Sequence, residues 1–327
     1  MSPYLEIRAR RNRQTPAIRS LNRETTLVAS DLVAPFFVKD QIDQPEPIAH
    51  LSGIARLPLH FLMREAEKLH AEGVSAVALF PAIRKELKDL SGSEAYNRQG
   101  IIPRAIEALK RTVPSLCIIA DVALDPYTSH GHDGIVTSGN TIDNDKTLTA
   151  LAKQALVCAD AGADILAPSA TMDGRVQAIR FALDSNGFSD AAILSYTAKY
   201  ASSLYAPFRC AVETKLLFGD KKTYQLNPAN RREAIREALL DERAGADMLL
   251  VKPALPYLDV IAAMRAQTFL PIGAYQVSGE YAMIMAAAST GALDAQETFY
   301  ELLTSIKRAG ADFILTYAAK TIIDLLN

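Results

Sequence analysis

Short apolar runs alternate along this chain with segments of helical period, and this alternation restricts the fold more than any other feature. The runs are apolar throughout rather than at every second residue, which is typical of parallel strands covered on both faces. The joints between helix and strand also repeat, as Gly162-Ala163-Asp164, Gly245-Ala246-Asp247 and Gly310-Ala311-Asp312. The runs are eight in number: Val33–Val38, Ala76–Pro81, Leu116–Leu124, Ala163–Ser169, Ala192–Lys199, Ala246–Pro253, Pro271–Ser278 and Ala311–Tyr317.

Eight parallel strands joined by helices predict an α/β protein with the (β/α)8 TIM barrel fold. An open, doubly wound sheet is the structural alternative, but no Gly-x-Gly-x-x-Gly pattern follows the first run. No linker rich in Gly, Pro or Ser divides the chain. We therefore expect residues 1–30 to form an extended N-terminal arm that makes oligomer contacts, and residues 31–327 to form one catalytic barrel. The six arginines of the arm leave an organelle transit peptide open as an alternative.

Charge and hydropathy exclude several classes of protein. The formal net charge is −2, so no general field attracts nucleic acid or an acidic membrane. No apolar run approaches the ~18 residues that are needed to span a bilayer. The three cysteines are scattered and suggest neither a disulfide framework nor a zinc knuckle. We expect a cytoplasmic protein that has neither a nucleic-acid nor a membrane partner.

Two lysines stand at the ends of apolar runs, Lys199 on the fifth run and Lys252 on the sixth. Removing an ammonium from water costs several kcal/mol unless the charge is paired or neutralised. A lysine that is held neutral is an amine nucleophile, and amines form Schiff bases with ketones and aldehydes. A single lysine of this kind could simply extend its head group into solvent. Two of them in repeats of similar layout favour catalysis.

In a (β/α)8 barrel, chemistry belongs at the carboxyl ends of the strands. Any one polar residue at such a position is usually structural, but several together outline a site. The residues at these ends are Asp121 and Asp125 on the third run, Ser169 on the fourth, Lys199 and Lys252 on the next two, and Ser278 and Tyr317 on the last two.

Two loops add candidate site residues. Residues 200–225, which include Tyr205, are too many for an ordinary loop of a barrel and predict a lid, whose cations, among them Arg209 and Lys221, could clamp a substrate carboxylate. A solvated charged loop is the alternative. Asp125 and Asp133 lie in the densest polar stretch of the chain, where they could either hold a metal or form turns.

Five motifs together resemble the porphobilinogen synthase (5-aminolaevulinate dehydratase) family, over nearly the whole chain from about Arg11 to Tyr317. This resemblance implies that two 5-aminolaevulinate molecules condense to porphobilinogen, with loss of two waters, in tetrapyrrole (haem) synthesis. An aldolase-type Schiff-base barrel is the alternative. The motifs are Ser195-Tyr-Thr-Ala-Lys199-Tyr-Ala-Ser-Ser, Val251-Lys252-Pro253, Tyr127-Thr-Ser-His-Gly-His132, Gln276-Val-Ser278-Gly-Glu280 and Met172-Asp-Gly-Arg175.

The resemblance also implies roles for individual residues. Lys252 would form the imine with the substrate that becomes the propionate side, and Ser278 and Tyr317 would hold its carboxylate. Lys199 would bind the second substrate. The carboxylate of that substrate would meet Arg209, Lys221 and Gln225, in a site that Tyr205 also lines, with Asp121 and Ser169 as polar helpers. Lys221 stands where the family usually has arginine, so the charge is kept but the planar fork is lost.

The metal site departs from the zinc-dependent members of the family. Those members carry three cysteines where this chain has Ala123, Asp125 and Asp133. Because carboxylates favour hard cations over zinc, we expect an Asp-rich, zinc-independent type with no catalytic zinc. Whether the two aspartates hold another cation is open. The resemblance further implies an allosteric magnesium at a subunit interface, held by Glu237, and a homo-octamer in which the arm embraces a neighbour.

Overall fold

Within residues 7–326, which the computed structural model describes, eight parallel strands close into a barrel. Each of the eight strands pairs with the next barrel strand in the chain, and the last, β10 (Phe313–Thr316), pairs back onto the first, β1 (Leu32–Lys39), through Leu32 opposite Ile314. Two short strands, β2 (Glu46–Pro47) and β3 (Ala55–Leu57), extend the sheet beside β1. The (β/α)8 barrel that the sequence predicts is therefore confirmed. The strands are β1 Leu32–Lys39, β2 Glu46–Pro47, β3 Ala55–Leu57, β4 Ala76–Ala82, β5 Cys117–Val122, β6 Ile165–Pro168, β7 Ala192–Lys199, β8 Met248–Lys252, β9 Ile272–Gln276 and β10 Phe313–Thr316.

Helices surround the barrel and bury their apolar faces against it. Helix α3, Ile101–Thr112, shows why such segments fold as helices. Its buried residues include Ile102, Ala105, Ile106 and Leu109, which recur at the helical spacing, and Lys110 and Arg111 lie in its last turn. The helices are α1 Pro16–Leu21, α2 Leu59–Ala71, α3 Ile101–Thr112, α4 Asn144–Asp160, α5 Arg175–Ser185, α6 Ala206–Ala211, α7 Arg231–Arg243, α8 Leu258–Arg265, α9 Ser278–Ser289, α10 Ala295–Ala309 and α11 Ala319–Leu326.

The repeated Gly-Ala-Asp joints fix the amino-terminal rim of the barrel. Asp164, Asp247 and Asp312 each accept a hydrogen bond from a backbone N–H of the neighbouring strand, at 2.7 Å in all three cases. The strand that follows each joint is thereby tied to the strand that precedes it round the barrel. Gly310 takes a φ of 116° at the end of α10, a conformation that a residue with a side chain rarely adopts. The repeat thus joins neighbouring strands at the amino-terminal rim of the barrel, away from the lysines.

The described part of the predicted arm is thinly packed up to Leu21, whereas Leu27 and Ala29 near its end are buried in the core. A 3₁₀ turn at Ala9–Arg13 and the short helix α1 bury none of their side chains, and Ile7 and Leu21 are among the most exposed apolar residues. Residues 1–6 of the predicted arm and Asn327 at the end of the predicted barrel lie outside the described residues. None of the described helices has the length and apolar character needed to cross a membrane.

Candidate active site at the mouth of the barrel

Lys199 and Lys252 are direct partners across the neighbouring strands β7 and β8. The register of this pair of strands shifts between Ser195 and Ala198, and this irregularity brings the two lysines opposite each other at the strand ends. Both side chains are buried, with relative exposures of 6% and 5%. The structure therefore brings together the two amines that the sequence singles out.

One small pocket contains most of the predicted site residues. Its volume is about 30 Å³, far below the roughly 300–1,000 Å³ of typical small-molecule pockets. The lid covers it, so the pocket must widen before it can admit a substrate. It is lined by Phe80, Asp121, Asp125, Ser169, Lys199, Tyr205, Phe208, Arg209, Lys221, Gln225 and Lys252.

Lys252 is surrounded by aromatic rings. Its Nζ lies 4.5 Å from the ring centroid of Tyr275, 5.0 Å from that of Phe208, 5.1 Å from that of Tyr196 and 5.4 Å from that of Tyr205. Within residues 7–326 no carboxylate forms an ion pair with it. Burial, reinforced by the charge of Lys199, lowers the pKa of Lys252 to about 7. A large fraction of this amine is therefore uncharged at neutral pH.

Lys199 has polar partners instead. Its ammonium donates to the backbone carbonyl of Ser169 at 2.6 Å and to the carboxylate of Asp133 at 3.1 Å. Lys221 bonds the other oxygen of Asp133, and it donates to Asp125 at 3.0 Å. Burial alone would raise the pKa of Asp133, but the two lysines outweigh it and lower that pKa to about 2. Lys199 and Lys221 thus pair with Asp125 and Asp133, the two carboxylates that the sequence leaves open as metal ligands.

Asp121 is the other carboxylate of the pocket. Its Oδ1 is buried and has no hydrogen-bond partner in the part of the chain that the structure describes. Burial raises the pKa of Asp121 to about 6, against the opposing effects of the Ser169 side chain and the two pocket lysines. A carboxyl with such a pKa can exchange protons near neutral pH.

Ser278 and Tyr317 stand at their strand ends as predicted, yet among the described residues they do not line this pocket. The hydroxyl of Ser278 accepts from the N–H of Phe208 at 3.0 Å and donates to the carbonyl of Leu204 at 3.2 Å. The hydroxyl of Tyr317 lies 3.0 Å from that of Tyr275. The lid and the barrel wall therefore take up both hydroxyls in this closed form.

Residues 200–225 cover the pocket, as the length of the segment predicts. They contain a 3₁₀ turn at Ser203–Tyr205 and helix α6, after which the chain crosses the mouth without regular structure. His132 holds this second part down: one ring nitrogen lies 3.1 Å from the hydroxyl of Tyr224, and the other lies 3.1 Å from the carbonyl of Phe218. The lid is closed over the lysines.

The aromatic surroundings of Lys252 were missed by the sequence analysis. Phe208 and Phe80 line the pocket, and Tyr275 and Tyr196 lie over the Lys252 ammonium. Tyr275 could have been found from the sequence, because it lies in a run that predicts a barrel strand. No local pattern marks Phe208, because its contact with the pocket depends on how the lid folds.

A larger cavity of about 690 Å³ adjoins the lysine pocket, and the two share Gln225. Glu237 lines this cavity, and burial raises the pKa of its carboxyl. Three buried polar atoms at its wall lack hydrogen-bond partners within the described residues: Thr171 Oγ1, Arg175 Nε and Thr197 Oγ1. No group of three or more His, Cys, Asp and Glu side chains in residues 7–326 is placed to hold a metal.

The fold and this site define an enzyme of the (β/α)8 barrel class, with a buried amine pocket at the carboxyl ends of its strands. A family model described as "Delta-aminolevulinic acid dehydratase" matches residues 6–325. The chain belongs to that family, also called porphobilinogen synthase. It is a lyase that condenses two 5-aminolaevulinate molecules to porphobilinogen, as the sequence predicts, and the match favours this activity over the aldolase-type alternative.

Individual relatives agree with the family match. The delta-aminolevulinic acid dehydratase of Escherichia coli K12 is 51% identical over 95% of each chain, and that of Chlamydia pneumoniae is 50% identical over 99% of this chain and 97% of its own. The chloroplastic enzyme of Physcomitrium patens is 54% identical over 95% of this chain and 72% of its own. The crystal structure of the Toxoplasma gondii ME49 enzyme, in complex with the reaction product porphobilinogen, matches with a TM-score of 0.96 and 48% identity, over 98% of this chain and 92% of that one.

Proposed function

We propose that the condensation proceeds through imines on both lysines, with Lys252 as the amine that reacts first. One observation carries the proposal: Lys252 and Lys199 face each other in one buried pocket, and the pKa of Lys252 is lowered to about 7. An uncharged amine adds to the ketone carbon of 5-aminolaevulinate, and the ketone oxygen then leaves as water. Lys199 first has to give up a proton and its bond to Asp133.

The carboxylates of the two substrates would bind on opposite sides of this pair of amines. Arg209, Lys221 and Gln225 line the pocket and would receive the carboxylate of the substrate on Lys199. Ser278 and Tyr317 would hold the carboxylate of the substrate on Lys252. Their hydroxyls have other partners in the closed form, so this role requires the lid segment around Phe208 to move.

Three polar residues would assist the chemistry around the two imines. Asp121 would accept and return protons near the amino groups, since its pKa of about 6 lies close to neutral pH. Ser169 would orient Asp121 and Lys199, because its side chain interacts with the first and its carbonyl accepts from the second. Tyr205 donates its hydroxyl to the carbonyl of Lys252 at 3.1 Å and would steady the backbone of that residue.

The experiment that tests the imine assignment is reductive trapping. Sodium borohydride added together with 5-aminolaevulinate should leave reduced substrate covalently bound to the peptide that contains Lys252. The variant Lys252→Arg keeps a cation at this position but forms no imine, whereas Lys222→Arg changes an exposed lysine of the lid and serves as the matched control. An unlabelled Lys252 peptide in the wild-type protein would refute the assignment.

We propose that the enzyme is of the Asp-rich type that needs no catalytic zinc. A catalytic zinc site has three protein ligands, which in the zinc-dependent members of the family are cysteines, whereas the positions in question here are Ala123, Asp125 and Asp133. The two carboxylates already pair with Lys199 and Lys221, whose ammonium groups supply the positive charge that a metal would bring. A further cation between Asp125 and Asp133 would have to displace Lys221.

The 690 Å³ cavity suits an allosteric magnesium better. A hydrated Mg²⁺ uses one or two carboxylates and keeps several waters. Glu237 supplies a carboxylate, and the unpartnered Thr171, Thr197 and Arg175 atoms at the wall are groups that ordered water could satisfy. When bound, the ion would supply positive charge that compensates Glu237 and stabilises this part of the protein surface.

The assembly and location are also proposals. We propose a homo-octamer in which residues 1–30 of one subunit embrace the barrel, residues 31–327, of a neighbour. The exposed Ile7 and Leu21 and the unburied α1 support a covered arm, and light scattering with and without residues 1–30 tests it. A cytoplasmic location agrees with three cysteines that are all free thiols.

A further inference from the structure

Glu280 is a fully buried carboxylate that the roles above do not use. It lies in the first turn of α9, and its oxygens accept three backbone hydrogen bonds. Val277 donates at 2.6 Å, Leu255 at 2.6 Å and Ala254 at 3.4 Å. The first donor follows strand β9 and the other two follow strand β8, so a single carboxylate joins the turns at the ends of two neighbouring strands.

One of these turns begins at Lys252. The bonds to Ala254 and Leu255 fix the chain two and three residues beyond the reactive lysine. The carbonyl of Lys252 itself accepts from the N–H of Tyr200 at 2.9 Å and from the hydroxyl of Tyr205. Since Pro253 offers no N–H, Glu280 supplies the nearest fixed contact on the far side of the lysine.

The other turn supports the lid. The first residue of α9, Ser278, bonds Phe208 and Leu204 of the lid. A Cβ added at Gly279 would lie 2.6 Å from the carbonyl oxygen of Leu204, which shows how closely α9 approaches the lid. Phe208 in turn packs its ring over the Lys252 ammonium. Contacts with the start of α9 thus hold both the lid and the turn after Lys252 in place.

We propose that Glu280 is a positioning residue for catalysis, holding the turn after Lys252 and the lid seat at the start of α9 in one fixed geometry. The inference rests on the imine role of Lys252 proposed above. Glu280 does not contact the pocket, and it acts through backbone N–H groups alone.

A carboxylate is the group that this place requires. Three converging N–H donors at the start of a twelve-residue helix favour negative charge. Burial nevertheless raises the pKa of Glu280 to about 7, with the three donors acting in the opposite direction. A glutamine has the same shape, but its NH₂ group cannot accept. Either the Leu255 donor or the Val277 donor would then face another donor.

The test compares Glu280→Gln and Glu280→Asp with the control Glu297→Gln. Glu297 is the third residue of α10, as Glu280 is of α9, but it is exposed. Its substitution therefore removes an acidic group from the start of a helix without affecting the mouth of the barrel. Borohydride trapping is followed separately on the Lys252 and Lys199 peptides, together with kcat and KM, in the intact enzyme.

We expect Glu280→Gln to lower kcat and the labelling rate of Lys252 by roughly 10²-fold, the scale of an error of about 1 Å in placing a reacting group. Labelling of Lys199 should fall by less. Glu280→Asp keeps the charge with a shorter reach and should recover part of the loss, while Glu297→Gln should match the wild type. A purely structural role would lower the melting temperature and reduce both labels equally.

The possible outcomes separate the two proposals. Wild-type labelling of Lys252 in both Glu280 variants would overturn the positioning role alone. Absence of label on Lys252 in the wild type would overturn the imine assignment, and the positioning role with it. Should Glu280→Gln fail to fold, Glu280→Asp decides, because equal loss of the two labels in that variant also contradicts the proposal.

Discussion

Lys199 and Lys252 are register partners on adjacent strands, yet their ammonium groups have opposite surroundings. Lys199 is bound by Asp133 and the carbonyl of Ser169, whereas Lys252 lies among aromatic rings. The same site therefore contains one amine stabilised as a cation and one whose burial favours the uncharged form. This asymmetry supports the proposed order of the two imines.

The first prediction concerns the dependence of imine formation on pH. Because burial lowers the pKa of Lys252 to about 7, its reactive form is lost as the pH falls below that value. We expect the initial labelling rate of Lys252 to drop about tenfold per pH unit below pH 7 and to level off above it. Quenched-flow trapping at subsaturating substrate between pH 5.5 and 10 measures this. A rate that keeps rising up to pH 10 would mean an ordinary lysine.

The second prediction is that Lys252→Met stabilises the protein while abolishing its activity. In the unfolded chain Lys252 has the ordinary lysine pKa of about 10.4. Between about pH 7 and 10 it therefore binds a proton in the unfolded state that it lacks in the folded state. The wild-type free energy of unfolding should therefore rise with pH across this window, and the full cost of Lys252 applies below it. We expect a gain on the order of a few kcal/mol at pH 7 or below, shrinking toward pH 10.

Melting curves of Lys252→Met and wild type at several pH values between 6 and 10 test this. Lys222→Met, which removes an exposed ammonium from the lid, should give no such gain. A melting temperature of Lys252→Met below that of the wild type at pH 6 would contradict the prediction.

The third prediction concerns Lys221, which pairs with Asp125 and Asp133. Lys221→Met leaves Asp125 unpaired and Asp133 with Lys199 alone. Removing one partner of a buried ion pair costs about 3–5 kcal/mol, so we expect a clear fall in melting temperature and a raised KM. Adding Asp125→Asn should restore part of the stability. Calorimetry and initial rates measure both effects, and an unchanged melting temperature in the single variant would show that the pairs contribute nothing.

The repeats of the chain were sufficient to predict the barrel. Apolar runs and Gly-Ala-Asp joints located all eight barrel strands, although β10 at Phe313–Thr316 is shorter than the predicted Ala311–Tyr317. At the start of β10, the N–H of Ile272 donates to the carboxylate of Asp312 and not to a backbone carbonyl. Such a side-chain role depends on a neighbour that a local pattern does not contain.

The candidate site was only partly predictable, because some of its contacts join residues that are far apart in the sequence. The strand ends named Lys199, Lys252, Asp121 and Ser169, and these four line one pocket. The pairing of Lys199 with Asp133 joins residues 66 positions apart, and no spacing rule predicts it. Ser278 and Tyr317 lie at the predicted ends, but the hydroxyl of Ser278 bonds the lid and that of Tyr317 lies against Tyr275 of the barrel wall. The three backbone bonds of Glu280 became visible only in the folded chain.

The last prediction separates the proposed magnesium site from any zinc dependence. If Mg²⁺ binds in the large cavity through Glu237, added magnesium should raise activity or shift the assembly toward larger oligomers. Glu237→Gln should abolish that response while leaving the activity without magnesium within about twofold, because Glu237 does not line the lysine pocket. Glu242→Gln, on the same helix but away from the cavity wall, is the matched control.

Analytical ultracentrifugation and initial rates across a magnesium titration provide the measurements, and a zinc-selective chelator supplies a separate arm. A magnesium response that survives in Glu237→Gln would place the ion elsewhere. Activity that the chelator abolishes and that zinc alone restores would refute the carboxylate-based assignment, because Asp125 and Asp133 would then have to release Lys221 in favour of a metal. Retained activity under chelation, together with loss of the magnesium response in Glu237→Gln alone, would agree with a site whose local cations are lysines and whose metal acts from the neighbouring cavity.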